Sequence, residues 1–72
     1  MIFPIAGGVS KDILVGDMVF LTVDTSDGDV QADSYRVLAF GANGLDIQVK
    51  TMDNKVTEWM TTTQIIQVWR AV

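Results

Sequence analysis

Four aspartates, Asp24, Asp27, Asp29 and Asp33, stand within ten residues that hold no lysine or arginine. Carboxylates gathered around a glycine, here Gly28, are the raw material of a calcium site, because Ca²⁺ takes about six to eight oxygens from a turning backbone. The stretch D-T-S-D-G-D-V-Q-A-D lacks the one-three-five spacing and the closing glutamate of an EF-hand. Its other readings are a solvated turn whose Asp and Gly residues set backbone geometry, or a contact for a basic partner. A second acidic pair, Asp46 and Glu58, falls on neighbouring predicted strands. Acid–base work there would require both carboxyls on one face.

The missing residue types narrow the chemistry further. The chain has no histidine and no cysteine. Ser-His-Asp and Cys-His constellations, His- or Cys-ligated metal sites and disulfides are therefore all excluded within one chain. The sequence predicts a non-enzymatic protein with no cofactor. Its one candidate metal site is the acidic stretch, and an enzyme reading survives only for an oligomer whose site lies between subunits.

The net charge of -4 argues against a nucleic-acid binder, which needs a basic face to displace counterions. The acidic stretch carries that whole imbalance, since the other five acids match the five bases. Those bases, Lys11, Arg36, Lys50, Lys55 and Arg70, do not cluster along the chain. The aromatic residues Phe20, Tyr35, Phe40 and Trp59 are similarly scattered; gathered on one surface they would cage a methylated cation, and otherwise they serve core or interface packing.

The elements that must position these groups read as strands. At 72 residues the chain makes one domain, and 49% hydrophobic content sets it apart from disordered sequences. MVFLTV (18–23) is rich in β-branched and aromatic residues and ends at the acidic loop. YRVLAF (35–40) leads to Asn43-Gly44, which can supply the positive φ angles of a hairpin. LDIQVKT (45–51) alternates, with Leu45, Ile47 and Val49 on one face and Asp46, Gln48 and Lys50 on the other. MDNK (52–55) makes a second hairpin into VTEWMTT. TTQI (62–65) is too short for more than a single 3₁₀ turn, and IQVWRAV (66–72) is the last strand. The predicted core is Val19, Leu21, Val23, Val37, Leu45, Ile47 and Val49. In the last two strands the parities of Glu58, Trp59, Val68 and Trp69 conflict, which calls for a bulge or a covered outer face.

Five short strands, a long first loop, two tight hairpins and a single turn before the last strand resemble the SH3-like small β-barrel of SH3, Tudor and KOW domains. The resemblance covers 15–72 and implies an all-β fold. It lacks the Ala-Leu-Tyr-Asp-Tyr motif of proline-binding SH3 domains, and Thr51-Met52-Asp53-Asn54 stands where Tudor cages place aromatics. Ile47-Gln48-Val49 resembles the Val-Gln-Ile-Tyr stretch of type II dihydrofolate reductases. Lys50 replaces the tyrosine, so that activity does not carry over.

The opening MIFPIAGG precedes the barrel pattern. Ile2, Phe3 and Ile5 around Pro4 cannot start a helix, and Gly7-Gly8 is a joint, so 1–8 reads as an extended apolar arm on a barrel of 9–72. Proline confines the arm to a sheet edge, where it either folds back over its own barrel as an extra edge strand or lid, or reaches onto a neighbouring subunit. A barrel this small has few places left to receive the arm, and Met18, Met60 and Trp69 also lack secure homes. The sequence thus predicts an interface formed by Ile2, Phe3, Ile5, Met60 and Trp69, used between copies of the chain or with another protein. The function it predicts is that of a structural or adaptor subunit, analogous in size and arm to the small barrels of phage particles. The alternative is an acidic module or inhibitor for a basic partner. No run is long enough to span a bilayer and the start lacks a basic n-region, so the expected location is intracellular, or within an assembled particle.

Overall fold

The computed structural model describes residues 1–24 and 27–70, with residues 23 and 24 described by their backbone alone. Alternating apolar and polar residues pair into two antiparallel sheets. The smaller joins β1 (Ile2–Pro4) to β2 (Ser10–Asp12). The larger contains β3 (Met18–Asp24), β4 (Val30–Phe40), β5 (Asp46–Thr51), β6 (Thr57–Thr61) and β7 (Ile65–Trp69), in the order β6-β5-β4-β3-β7. The fold is all-β, and no helix among the described residues is long and apolar enough to cross a membrane.

The opening stretch folds back on its own chain. Ala6–Gly8 makes a single 3₁₀ turn, with Gly7 and Gly8 at φ of 84° and 75°, conformations that a side chain would strain. This turn brings Phe3 opposite Lys11 and Pro4 opposite Ser10. The hydrogen bonds run through odd-numbered residues, Ile5 N–H to Val9 carbonyl and Ile13 N–H to Met1 carbonyl, each 2.8 Å. The Pro4 nitrogen consequently faces the open edge, where its missing N–H costs nothing. Alternation then sends Phe3 and Ile5 inward, 1% and 5% exposed.

This overturns the expectation that Phe3 and Ile5 serve an interface. They lie in one buried cluster with Ile13, Val19, Leu21, Tyr35, Val37, Ile47, Val49 and Ile65. Residues of the predicted arm, 1–8, and of the predicted barrel, 9–72, thus share a single core. Phe3 alone has a large side chain to lose from water, a burial that stabilises by roughly 1.5–3 kcal/mol.

Two bulges decide which side chains turn inward, and the one in β7 settles the conflict over Val68 and Trp69. In the β4–β5 pair, Val37 faces Val49 and Ala39 faces Gln48, leaving Leu38 as the extra residue. This shift turns Phe40 inward, where its ring lies 4.9 Å from that of Phe3. In the β3–β7 pair, Phe20 faces Gln67 and Leu21 faces Ile65, leaving Ile66 extra. Ile65 and Val68 can therefore both point inward although three residues apart. Leu45, predicted in the core, is exposed instead, because it sits in the turn before β5 begins.

The turns use local side chains. Gly44 takes φ of 74°, and the Asn43 Oδ1 accepts the N–H groups of Leu45 and Asp46 at 3.0 and 3.1 Å. Asn54 takes φ of 62° in the second hairpin, where Thr51 Oγ1 accepts the Val56 N–H at 3.0 Å. The expected 3₁₀ turn is Thr62–Gln64. Gln64 closes it by accepting the Thr61 N–H at 3.2 Å and donating to the Thr22 carbonyl at 2.9 Å.

Candidate interaction surface

The inward residues of the large sheet are accounted for by the core; its outer face is not. Register places Trp69, Met18, Arg36, Lys50 and Thr57 side by side across all five strands. The neighbouring outward positions are Gln67, Phe20 and Ser34 on one flank and Gln48 and Trp59 on the other. Trp59 is 56% exposed and Trp69 43%. Phe20 and Trp69 pack as a tilted pair with ring centroids 5.9 Å apart. Trp59 lies over Gly41, whose missing side chain makes room: a Cβ there would stand 3.0 Å from the Asp46 Cβ and 3.5 Å from the Trp59 ring.

Between the two tryptophans, Arg36 and Lys50 are direct cross-strand partners. Like charges so placed repel, and neither forms an ion pair with any described carboxylate. Linear sequence hid this adjacency, because fourteen positions separate the two. Only the register after the Leu38 bulge brings them together.

Arg70 behaves differently. Its Nε and Nη2 donate to the two carboxylate oxygens of Asp17, both at 3.0 Å, and Nη2 also approaches Asp12 Oδ2 at 3.5 Å. Asp17 is 3% exposed and also accepts the Leu14 N–H at 2.8 Å. The Arg70 hydrogen bonds, helped by that from Leu14, hold its carboxyl below the usual carboxylate range. This pair fastens the chain after β7 to the turn before β3.

The predicted sites separate on the structure. Asp46 faces outward opposite Thr61, whereas Glu58 stands opposite inward-facing Val49, so the two carboxyls lie on different faces and make no acid–base pair. The aromatic cage also fails to form. Tyr35 is buried in the core, where burial, with Glu58 and Asp33 nearby, raises its hydroxyl pKa, and Phe40 packs on Phe3. Only Phe20 and Trp59 remain on the outer face. Of the predicted interface, Ile2 (66% exposed) and Trp69 reach solvent, and Met60 is partly buried against the core.

The acidic stretch is not one long loop. Asp24 ends β3 and Asp33 lies within β4, opposite Leu21. The two strands run past their neighbours, since β5 reaches only to Tyr35 and β7 only to Leu21. The aspartates thus sit on a projecting two-stranded ribbon. Asp33 accepts the Ser34 N–H at 2.8 Å, and the side chain of Asp24 lies outside the described residues. Among the described residues no three carboxylates converge on a common point that could hold a metal. The calcium expectation thus finds no support among the described residues, and the part of it that rests on the Asp24 side chain lies outside them.

Comparison with known proteins gives no match: no family model matches the chain, and neither a curated protein nor a solved structure does so.

Proposed function

We propose that the chain is an SH3-like small barrel that works as a non-enzymatic structural subunit, assembling with copies of itself through the outer face of its large sheet. The fold reading is supported by strand order: the last strand, β7, returns beside β3 through a 3₁₀ turn, as the last strand of an SH3-like barrel returns to the first. One observation carries the functional reading. Two exposed tryptophans bracket a pair of adjacent, unpaired cations on an uncovered sheet face. Exposed aromatic side chains of this kind supply most of the energy of protein contacts, and an incoming acid would relieve the Arg36–Lys50 repulsion. The projecting aspartate ribbon of another copy offers such acids.

Sedimentation velocity over a concentration series tests this reading. The expected result is an oligomer whose population grows with concentration and shrinks as salt screens the charges. A monomer at every concentration overturns it. The ribbon favours a second reading in that event, a monomeric acidic module whose affinity for a basic partner falls with salt.

A further inference from the structure

We infer that two copies pair edge to edge through β6, in an antiparallel register centred on Trp59. This names the contact by which the self-assembly proposed above begins, and it rests on that reading. Hydrogen bonds between β5 and the chain around β6 run through alternate residues: Thr51 N–H donates to Val56, and Thr62 N–H donates to Leu45. With Val49 opposite Glu58 and Ile47 opposite Met60, the intervening residues Thr57, Trp59 and Thr61 turn their backbone groups away from β5. The Thr61 N–H is taken by Gln64. The outward N–H and C=O groups of Thr57 and Trp59 have no partner among the described residues.

Two other edges of the large sheet are less open. β7 contacts the Ala6–Gly8 turn. The free edge of β4 belongs to the aspartate ribbon, where pairing two copies would set acid against acid. In contrast, β6 reads T-E-W-M-T, without lysine or proline; its one charge, Glu58, stands on the inward-facing side and guards against the register that sets it opposite its own copy.

The register follows from the sequence of the strand. A two-fold axis through Trp59 overlaps all five residues of β6. It sets Trp59 against Trp59 of the second copy, Glu58 against Met60, and Thr57 against Thr61. An axis through Glu58 instead places two carboxylates directly opposite each other, which is unfavourable. Any one-residue slip between these sets an outward-facing residue against an inward-facing one and loses the hydrogen bonds. Centred on Trp59, the paired strands exchange two Trp59 N–H···O=C bonds and stack the two indoles on the outer face. The outer faces of the two sheets then run on continuously.

The absence of native cysteine makes the register directly measurable. Thr57→Cys and Thr61→Cys are made as separate single variants, and each is oxidised alone and in an equal mixture. The expected result is a disulfide-linked dimer in the mixture at least several-fold above either variant alone. Thr57→Pro, which removes one outward N–H at the start of the strand, is expected to lower the oligomer fraction. Equal crosslinking in all three samples, or an oligomer untouched by Thr57→Pro, overturns the edge pairing and leaves assembly through the outer face standing. A monomeric unmodified chain overturns both.

Discussion

Asp17 and Arg70 are joined by two parallel hydrogen bonds across fifty-three positions of sequence, so that the chain following β7 is fastened to the turn entering β3. The carboxylate is buried and the guanidinium half-exposed, with the Leu14 N–H as a third donor. Removing the carboxylate by Asp17→Ala leaves that N–H and the arginine without their acceptor. The expected loss is about 2 kcal/mol, in the range for a buried, charge-assisted network, read from denaturant unfolding. The pH dependence has a definite sign. The folded-state pKa of Asp17 is lowered from 3.8, so its stabilisation is fully present above that value and is lost as pH falls through the lower folded one. The variant's stability should therefore fall less steeply with acid than that of the unmodified chain.

Phe3 tests whether the N-terminal hairpin is part of the core. Phe3→Ala removes a 1%-exposed ring packed on Phe40 and is expected to cost about 3–5 kcal/mol, enough to threaten a domain of this size. Ile2→Ser, on the exposed side of the same strand, should change stability by no more than about 0.5 kcal/mol. Thermal unfolding of the two variants side by side separates an integral hairpin from a loose arm, for which both changes would be small.

Thr62 carries a buried hydroxyl with no hydrogen-bond partner among the described residues. Valine has nearly the same shape without the polar atom. Thr62→Val is expected to raise stability by about 1 kcal/mol, since an unsatisfied buried polar group costs about that much or more. A loss of stability in chemical denaturation would mean that the hydroxyl has a partner after all.

Arg36 and Lys50 predict opposite effects on stability and assembly. Arg36→Glu converts a repelling cross-strand pair into an attracting one, stabilising the fold by roughly 0.2–1 kcal/mol. The same change places an acid where the incoming acid must dock. Unfolding and sedimentation measured on one variant should thus move apart, toward a more stable fold and a weaker oligomer.

The all-β class, both hairpin turns, the 3₁₀ turn and most of the core alternation were legible in the sequence, because period-two patterning and turn residues act locally. What was hidden was non-local. The parity conflict of the last two strands called for a bulge without placing it at Ile66, and nothing announced the one at Leu38, yet those two insertions decide that Phe40 and Val68 point inward and that Arg36 meets Lys50. The destination of Phe3 and Ile5 was hidden for the same reason. Their pairing with β2 depends on a core that only the folded sheet provides. Parity left both Trp59 and Trp69 undecided, and only the registers of β6 and β7 turn the two toward solvent.

The claim that the outer face drives assembly is tested most directly by the solution mass, from light scattering after size exclusion, of the chain beside a Trp59→Ser/Trp69→Ser variant. Both tryptophans project from the sheet, so the double variant should keep its far-ultraviolet circular dichroism. The account predicts an oligomer for the unmodified chain and a folded monomer for the variant. Equal masses for the two, with both folded, would contradict it.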